Sequence, residues 1–145
     1  MQITMSETGI DDLLRRLDNL SNSGRYRFVR VKALRAGIRV AERHAKASLE
    51  GSRSGRIYRI RGKEHQASAP GEAPAVDTGN LKGSIKVGEV TEDHAVLETN
   101  ADYAAYLEFG TRYMAARPFM RPSVENHLDE IEAAMAAVIN EALDS

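Results

Sequence analysis

The sequence predicts an α+β domain: a small antiparallel sheet packed with a long helix in the N-terminal half and a C-terminal helix, with a long extended arm between helix and sheet. Three observations predict it. Apolar residues recur at helical spacing through 27–49 and again through 122–142. Two alternating runs, 84–90 and 94–100, read as strands joined by a short polar turn. Between helix and strands lies 51–77, rich in Gly, Ser, Ala, Pro and charge. A loop of that length inside a compact domain is usually functional or disordered. The 145 residues suit a single domain, 1–145, with 51–77 as its extended loop or arm.

The elements follow in order. "GIDDLLRRLDNL" puts Ile10, Leu13, Leu14, Leu17 and Leu20 on one helical stripe, with Ser6 or Thr8 as cap and "NSG" at 22–24 as stop. In 27–49 the stripe is Phe28, Val31, Leu34, Ile38, Ala41, Ala45 and Leu49, with Arg35, Arg39, Arg43 and Lys46 on the other side and Gly51 ending the helix. "RIYRI" alternates polar and apolar residues and reads as a short strand or one arm of a hairpin. Pro70 and Pro74 keep the following part extended. "SIKVGEV" and "HAVLETN" form the hairpin, turning at Thr91–Asp93. "DYAAYLEFG" reads as a short helix capped by Asn100 or Asp102 and ended by Gly110, with a strand as the alternative. "PSVENHLDEIEAAMAAVINEAL" reads as one helix, its stripe Val124, Leu128, Ile131, Met135, Val138 and Ala142, with Pro122 in the first turn.

Charge is unevenly spread. Residues 25–63 hold 13 Lys or Arg against Glu42 and Glu50, whereas 123–145 hold six acids and no Lys or Arg. Such poles pair within a chain or between copies, and they speak to association rather than fold. The chain has no Cys, which excludes disulfides, a thiolate nucleophile and Cys-ligated zinc and fits a reducing compartment. No run has the apolar length of a membrane span, and "MQITMSETGIDD" lacks the pattern of a secretory signal.

Catalytic patterns are missing. His44, His65, His94 and His127 show no i, i+4 pair of a zinc protease. "GRIYRIRGKE" fails as a phosphate loop, with six residues between Gly55 and Gly62 and Glu64 in place of the magnesium-binding hydroxyl. No Gly-x-Ser-x-Gly is present. The carboxylates Asp102 and Glu108 are the weak basis for a hydrolase. The sequence therefore predicts no enzyme, no catalytic residue, no metal and no cofactor. A nucleic-acid binder is the better alternative: the basic helix and arm, residues 25–63, interleave Tyr58 with Arg56, Arg59, Arg61 and Lys63, which suits phosphate tracking and base stacking.

Three motifs look specified without looking catalytic. The first is "DTG-x-L-x-x-S-I", carried by Asp77, Thr78, Gly79, Leu81 and Ile85, after an extended "SAPGEAPA" arm at Ser68–Ala75. The second is "YA-x-x-x-EFGT", carried by Tyr103, Glu108, Phe109, Gly110 and Thr111. The third is "PF-x-RP", carried by Pro118, Phe119, Arg121 and Pro122. In this order, over residues 53–122, they resemble the neck or tail-completion proteins of long-tailed bacteriophages, also described as head–tail joining proteins or minor tail components. The flanking helices agree with that family in pattern only.

The resemblance implies a non-enzymatic virion protein of the neck or tail, assembled in the host cytoplasm. It implies a ring of six or twelve copies between the capsid portal or connector and the tail tube, in a stopper-like, terminator-like or peripheral position. The implied partners are other copies, the neighbouring connector or stopper, and the tail-tube or terminator proteins, with incidental DNA contact and no membrane.

The motif residues also have physical roles. Thr78 caps a turn, Gly79 lets the backbone turn sharply, and Leu81 and Ile85 anchor it on the core. Gly110 is expected in a left-handed cap, with Tyr106 and Phe109 packed inward and Glu108 bonded to the Thr78–Gly79 turn or to Arg121. Phe119 plugs the core between stiffening prolines. The expected assembly surface is the arm: Arg53, Arg56, Tyr58, Arg59, Arg61, Lys63, Pro70 and Pro74. Its exposed backbone can add a strand to a neighbour, and its cations can meet the acidic C-terminal helix of the next subunit.

Overall fold

The computed structural model describes residues 1–5, 15, 24–50, 57–66, 70, 74 and 80–144. Strand β1 (Gln2–Met5) is followed by the long helix α1 (Gly24–Ser48) and a hairpin, β2 (Ile57–Ile60) and β3 (Lys63–Gln66). A short helix α2 (Asn80–Ser84) leads into β4 (Ile85–Val90) and β5 (Ala95–Thr99). Then come α3 (Ala104–Phe109), α4 (Arg121–Glu125) and α5 (Leu128–Asp144). The α+β class is as predicted. Of the helix expected over 10–20, only Arg15 is described, and it is helical; the stripe Ile10, Leu13, Leu14, Leu17 and Leu20 and the caps Ser6 and Thr8 lie outside the described residues, as does Gly51.

The main sheet has the order β1-β5-β4, antiparallel throughout. The β4–β5 hairpin is the one the alternation predicted. Its turn is closed by Thr91, whose N–H donates to the His94 carbonyl at 2.8 Å and whose hydroxyl accepts the N–H groups of Asp93 and His94. The pairing slips between Val87 and Val90, a bulge at Gly88 and Glu89. A Cβ on Gly88 would lie 2.8 Å from the carboxyl end of Glu98, a flexible group that can move aside. β1 was not foreseen. Four residues of Gln-Ile-Thr-Met carry little pattern, and their place comes from pairing Ile3 with Leu97 across the sequence.

One face of the sheet is apolar. Ala95, Leu97 and Ile85 are buried there, with Ile3 and Val87 packed against them. α1 lies against this face and against α5. It therefore buries more than the predicted stripe: Val29, Ala33 and Val40 join Leu34, Ile38, Ala41, Ala45 and Leu49. Phe28, expected in the stripe, falls on the opposite side and is 68% exposed, among the exposed Lys32, Arg35 and Arg39. A helix touching two neighbours buries a wide arc, and the arc widens away from Phe28.

The C-terminal helix is two helices. α4 ends at Glu125 and α5 starts at Leu128, with a turn at Asn126–His127. The His127 N–H bonds the Val124 carbonyl three residues back, and its ring nitrogen Nδ1 lies 3.2 Å from the Ser123 carbonyl. The helical period of Val124, Leu128 and Ile131 survives this turn, so the break left no mark in the pattern. Pro122 sits in the first turn of α4 as expected.

Candidate functional site

α3 runs opposite to the expected orientation. Tyr103 holds its N-cap position at φ −91, ψ −2, and no side chain caps it, so neither Asn100 nor Asp102 plays that part. The entry turn is closed instead by the Ala104 N–H on the Ala101 carbonyl at 3.1 Å. Ala104 and Glu108 are buried and Leu107 packs on the core. Tyr106 and Phe109, expected to pack inward, are 60% and 63% exposed.

The reason is Glu108. Its Oε2 accepts the backbone N–H of Phe119 at 2.8 Å and of Met120 at 3.0 Å, and its Oε1 accepts that of Arg121 at 2.8 Å. These are N–H groups at the start of α4, which no intrahelical carbonyl reaches. A carboxylate only 5% exposed needs such partners. With Glu108 turned inward, Tyr106 and Phe109 must turn outward. The expected pairing of Glu108 with the Arg121 side chain is not what forms: Arg121 contributes its backbone N–H, and its guanidinium lies 3.7 Å from Glu125. The Thr78–Gly79 turn, with Asp77, lies outside the described residues.

Gly110 ends α3 with positive φ as expected, but φ 75, ψ 176 is an extended glycine conformation rather than a left-handed helical cap. Beyond it, Thr111 and Met114 pair as a two-residue bridge, with Arg112 and Tyr113 at the tip. The Thr111 hydroxyl accepts the Tyr113 N–H at 3.2 Å, and the Arg112 guanidinium lies 5.7 Å from the centre of the Tyr113 ring. Tyr113 is 90% exposed. Phe119 is buried, Pro118 half-buried, and Leu81 and Ile85 are buried as expected.

The arm is described in part. Arg53 and Arg56 lie outside the described residues. Tyr58, Arg59, Arg61 and Lys63 belong to the β2–β3 hairpin, where Tyr58 pairs with His65 and Arg59 with Glu64. Arg61 and Gly62 make its turn, with φ of 52 and 81, the conformation of a tight two-residue hairpin. Among the described elements the hairpin's main contact is between its own two strands, and Ile57, Arg59, Arg61 and Lys63 are exposed. Pro70 is exposed, whereas Pro74 is buried within the single chain and offers no surface there.

The charged poles meet inside the chain. Glu130 of α5 pairs with Arg43 and with His44 Nε2 of α1, and the His44 ring stacks on His127 at 3.5 Å. The hydrogen bond from His44, opposed by partial burial and aided by the charges of His44, Arg43 and His127, holds the Glu130 carboxyl below its ordinary value. Arg27 and Arg30 reach Glu92 and Asp93 on the β4–β5 turn. Among the described residues no group of His, Asp and Glu is placed to hold a metal ion, and no helix is long and apolar enough to cross a membrane.

The family described as "Bacteriophage HK97-gp10, putative tail-component" matches residues 11–110. The match takes in α1, the arm, both strands of the β4–β5 hairpin and α3, and it stops before Thr111 and the Pro118–Pro122 motif. No curated protein and no solved structure matches the chain. With over half its length matched, the chain belongs to the HK97-gp10-like family of bacteriophage tail components.

Proposed function

We propose that this tail component is a ring subunit of the phage neck, joining the portal or connector to the tail tube, with six or twelve copies per ring. It acts by assembly and not by catalysis, and its arm is the intersubunit element. One observation carries the reading beyond the family: among the described elements the β2–β3 hairpin pairs chiefly with itself, with exposed Ile57 and exposed cations at Arg59, Arg61 and Lys63. A two-stranded hairpin gains little stability alone in water. An apolar-bearing hairpin of this kind is therefore best explained by a neighbour that covers it.

Mass measurement by light scattering tests this, on the protein alone and mixed with connector and tail-tube proteins. The expected result is a discrete closed oligomer, alone or on a partner. A chain that stays monomeric under every one of these conditions overturns the reading.

A second reading has its own observation. The outer side of α1 presents Lys32, Arg35 and Arg39 with Phe28, a stripe suited to a polyanion. It predicts affinity for nucleic acid that persists in physiological salt. Binding confined to low salt is what any clustered cations give, and it would count against this reading.

A further inference from the structure

The outward side of α3 gathers several exposed aromatic residues. Tyr106 and Phe109 lie opposite the buried Ala104 and Glu108, Tyr103 flanks them at 44% exposure, and Tyr113 follows on the next turn. These four are half of the chain's Tyr and Phe residues. The fold does not require them there, since Ala104, Leu107 and Glu108 already secure the helix. Clustered, exposed aromatics of this kind mark the centre of a protein interface.

Among the described residues the β2–β3 hairpin offers matching chemistry. It presents Ile57, 60% exposed, and the cations Arg61 and Lys63 near its turn. Aromatic rings accept both: apolar contact at their bodies and cations over their faces. The Arg112–Tyr113 pair shows a ring of this surface already engaging a guanidinium. Asp102, exposed and next to Tyr103, adds an acid at the rim.

We propose that the aromatic face of α3 in one copy receives the β2–β3 hairpin of the next copy. This rests on the ring reading above and names its contact. The two surfaces differ, so the contact is head-to-tail: every copy gives a hairpin and receives one, and the series closes as a ring. The aromatic face paired with itself would stop at a dimer and leave both hairpins bare.

Two variants test the contact. The face variant carries Tyr106→Ala with Phe109→Ser; the hairpin variant carries Ile57→Asp with Lys63→Glu. All four positions are exposed, so circular dichroism and melting temperature should match the wild type. Each variant alone should run as a monomer at concentrations where the wild type is oligomeric. Mixed in equal amounts they should form a heterodimer, twice the monomer mass and no larger, because only one intact hairpin meets one intact face. A face variant that still forms the wild-type oligomer overturns the contact and leaves the ring reading standing. Two monomeric variants that fail to pair on mixing also overturn it. A wild type that never assembles, alone or with tail proteins, overturns the ring reading and this contact with it.

Discussion

The carboxylate of Glu108 accepts the backbone N–H of Phe119 at 2.8 Å, across 11 residues of chain. This bond and its two companions to Met120 and Arg121 join α3 to the start of α4. Removing the acceptor strands three N–H groups, two of them buried. Glu108→Ala should destabilise the domain by several kcal/mol, since each buried donor left unsatisfied costs about 1–3 kcal/mol. Glu108→Gln keeps one oxygen and turns an amide N–H₂ toward a donor, so it should cost about 1–3 kcal/mol. Chemical denaturation with an unchanged m-value checks both. Equal, near-zero losses would mean that water or another group serves these donors.

Gly110 lets the chain leave α3 and return beside it. At φ 75, a Cβ would lie 2.8 Å from the Ala116 nitrogen and 2.9 Å from the Met114 carbonyl oxygen. Both are backbone atoms and cannot swing aside. Gly110→Ala should cost at least about 1–3 kcal/mol in conformational strain, and the contact adds to it. A lowered melting temperature reads this out, and an unchanged one would show that the turn can be remade.

Phe119 is 1% exposed and belongs to the core shared by α1, the sheet and α5. Phe119→Ala should cost about 3–5 kcal/mol. Because Glu108 bonds the Phe119 backbone rather than its ring, those bonds can survive the truncation. A double variant with Glu108→Ala should still lose less than the two single losses combined, since both loosen the same junction.

What the sequence disclosed follows from where each signal resides. α1, α5 and the β4–β5 hairpin are long or strictly periodic, so their patterns were legible. The orientation of α3 was not. Its apolar residues lie on both sides, Ala104 and Leu107 on one, Tyr106 and Phe109 on the other. Glu108 decides between them, and its partners lie 11 to 13 residues downstream. A composition rule that sends carboxylates outward and aromatics inward gives the wrong side. β1 was hidden for a similar reason: its meaning depends on β5, more than ninety residues away.

Glu130 links the helices through Arg43 and His44, and its carboxyl titrates below the ordinary value of 4.5, chiefly because His44 hydrogen-bonds it. A depressed carboxylate stabilises the folded chain above its unfolded pKa, and that contribution is lost as pH falls through the folded pKa. Wild type should therefore exceed Glu130→Gln in stability at pH 7. The gap should shrink as the pH drops below 4.5, and it should be small throughout because the pair is exposed. Denaturant midpoints at pH 7 and pH 3 give the comparison. A gap that fails to shrink on acidification would mean that the Glu130 charge is not what links the two helices.

The hairpin offers the sharpest separation of folding from assembly. Among the described elements its two strands pair chiefly with each other, and no described hairpin residue belongs to the core cluster. Pro74, by contrast, is itself buried. Replacing 57–66 with a short Gly-Ser linker should leave the melting temperature within a few degrees of wild type, because lengthening or shortening a surface loop changes closure entropy only slowly. Extending the excision through Pro74 should lower it. If excising 57–66 unfolds the domain, the hairpin is a structural element of the monomer. If the excised chain still forms the wild-type oligomer, the arm plays no part in joining copies.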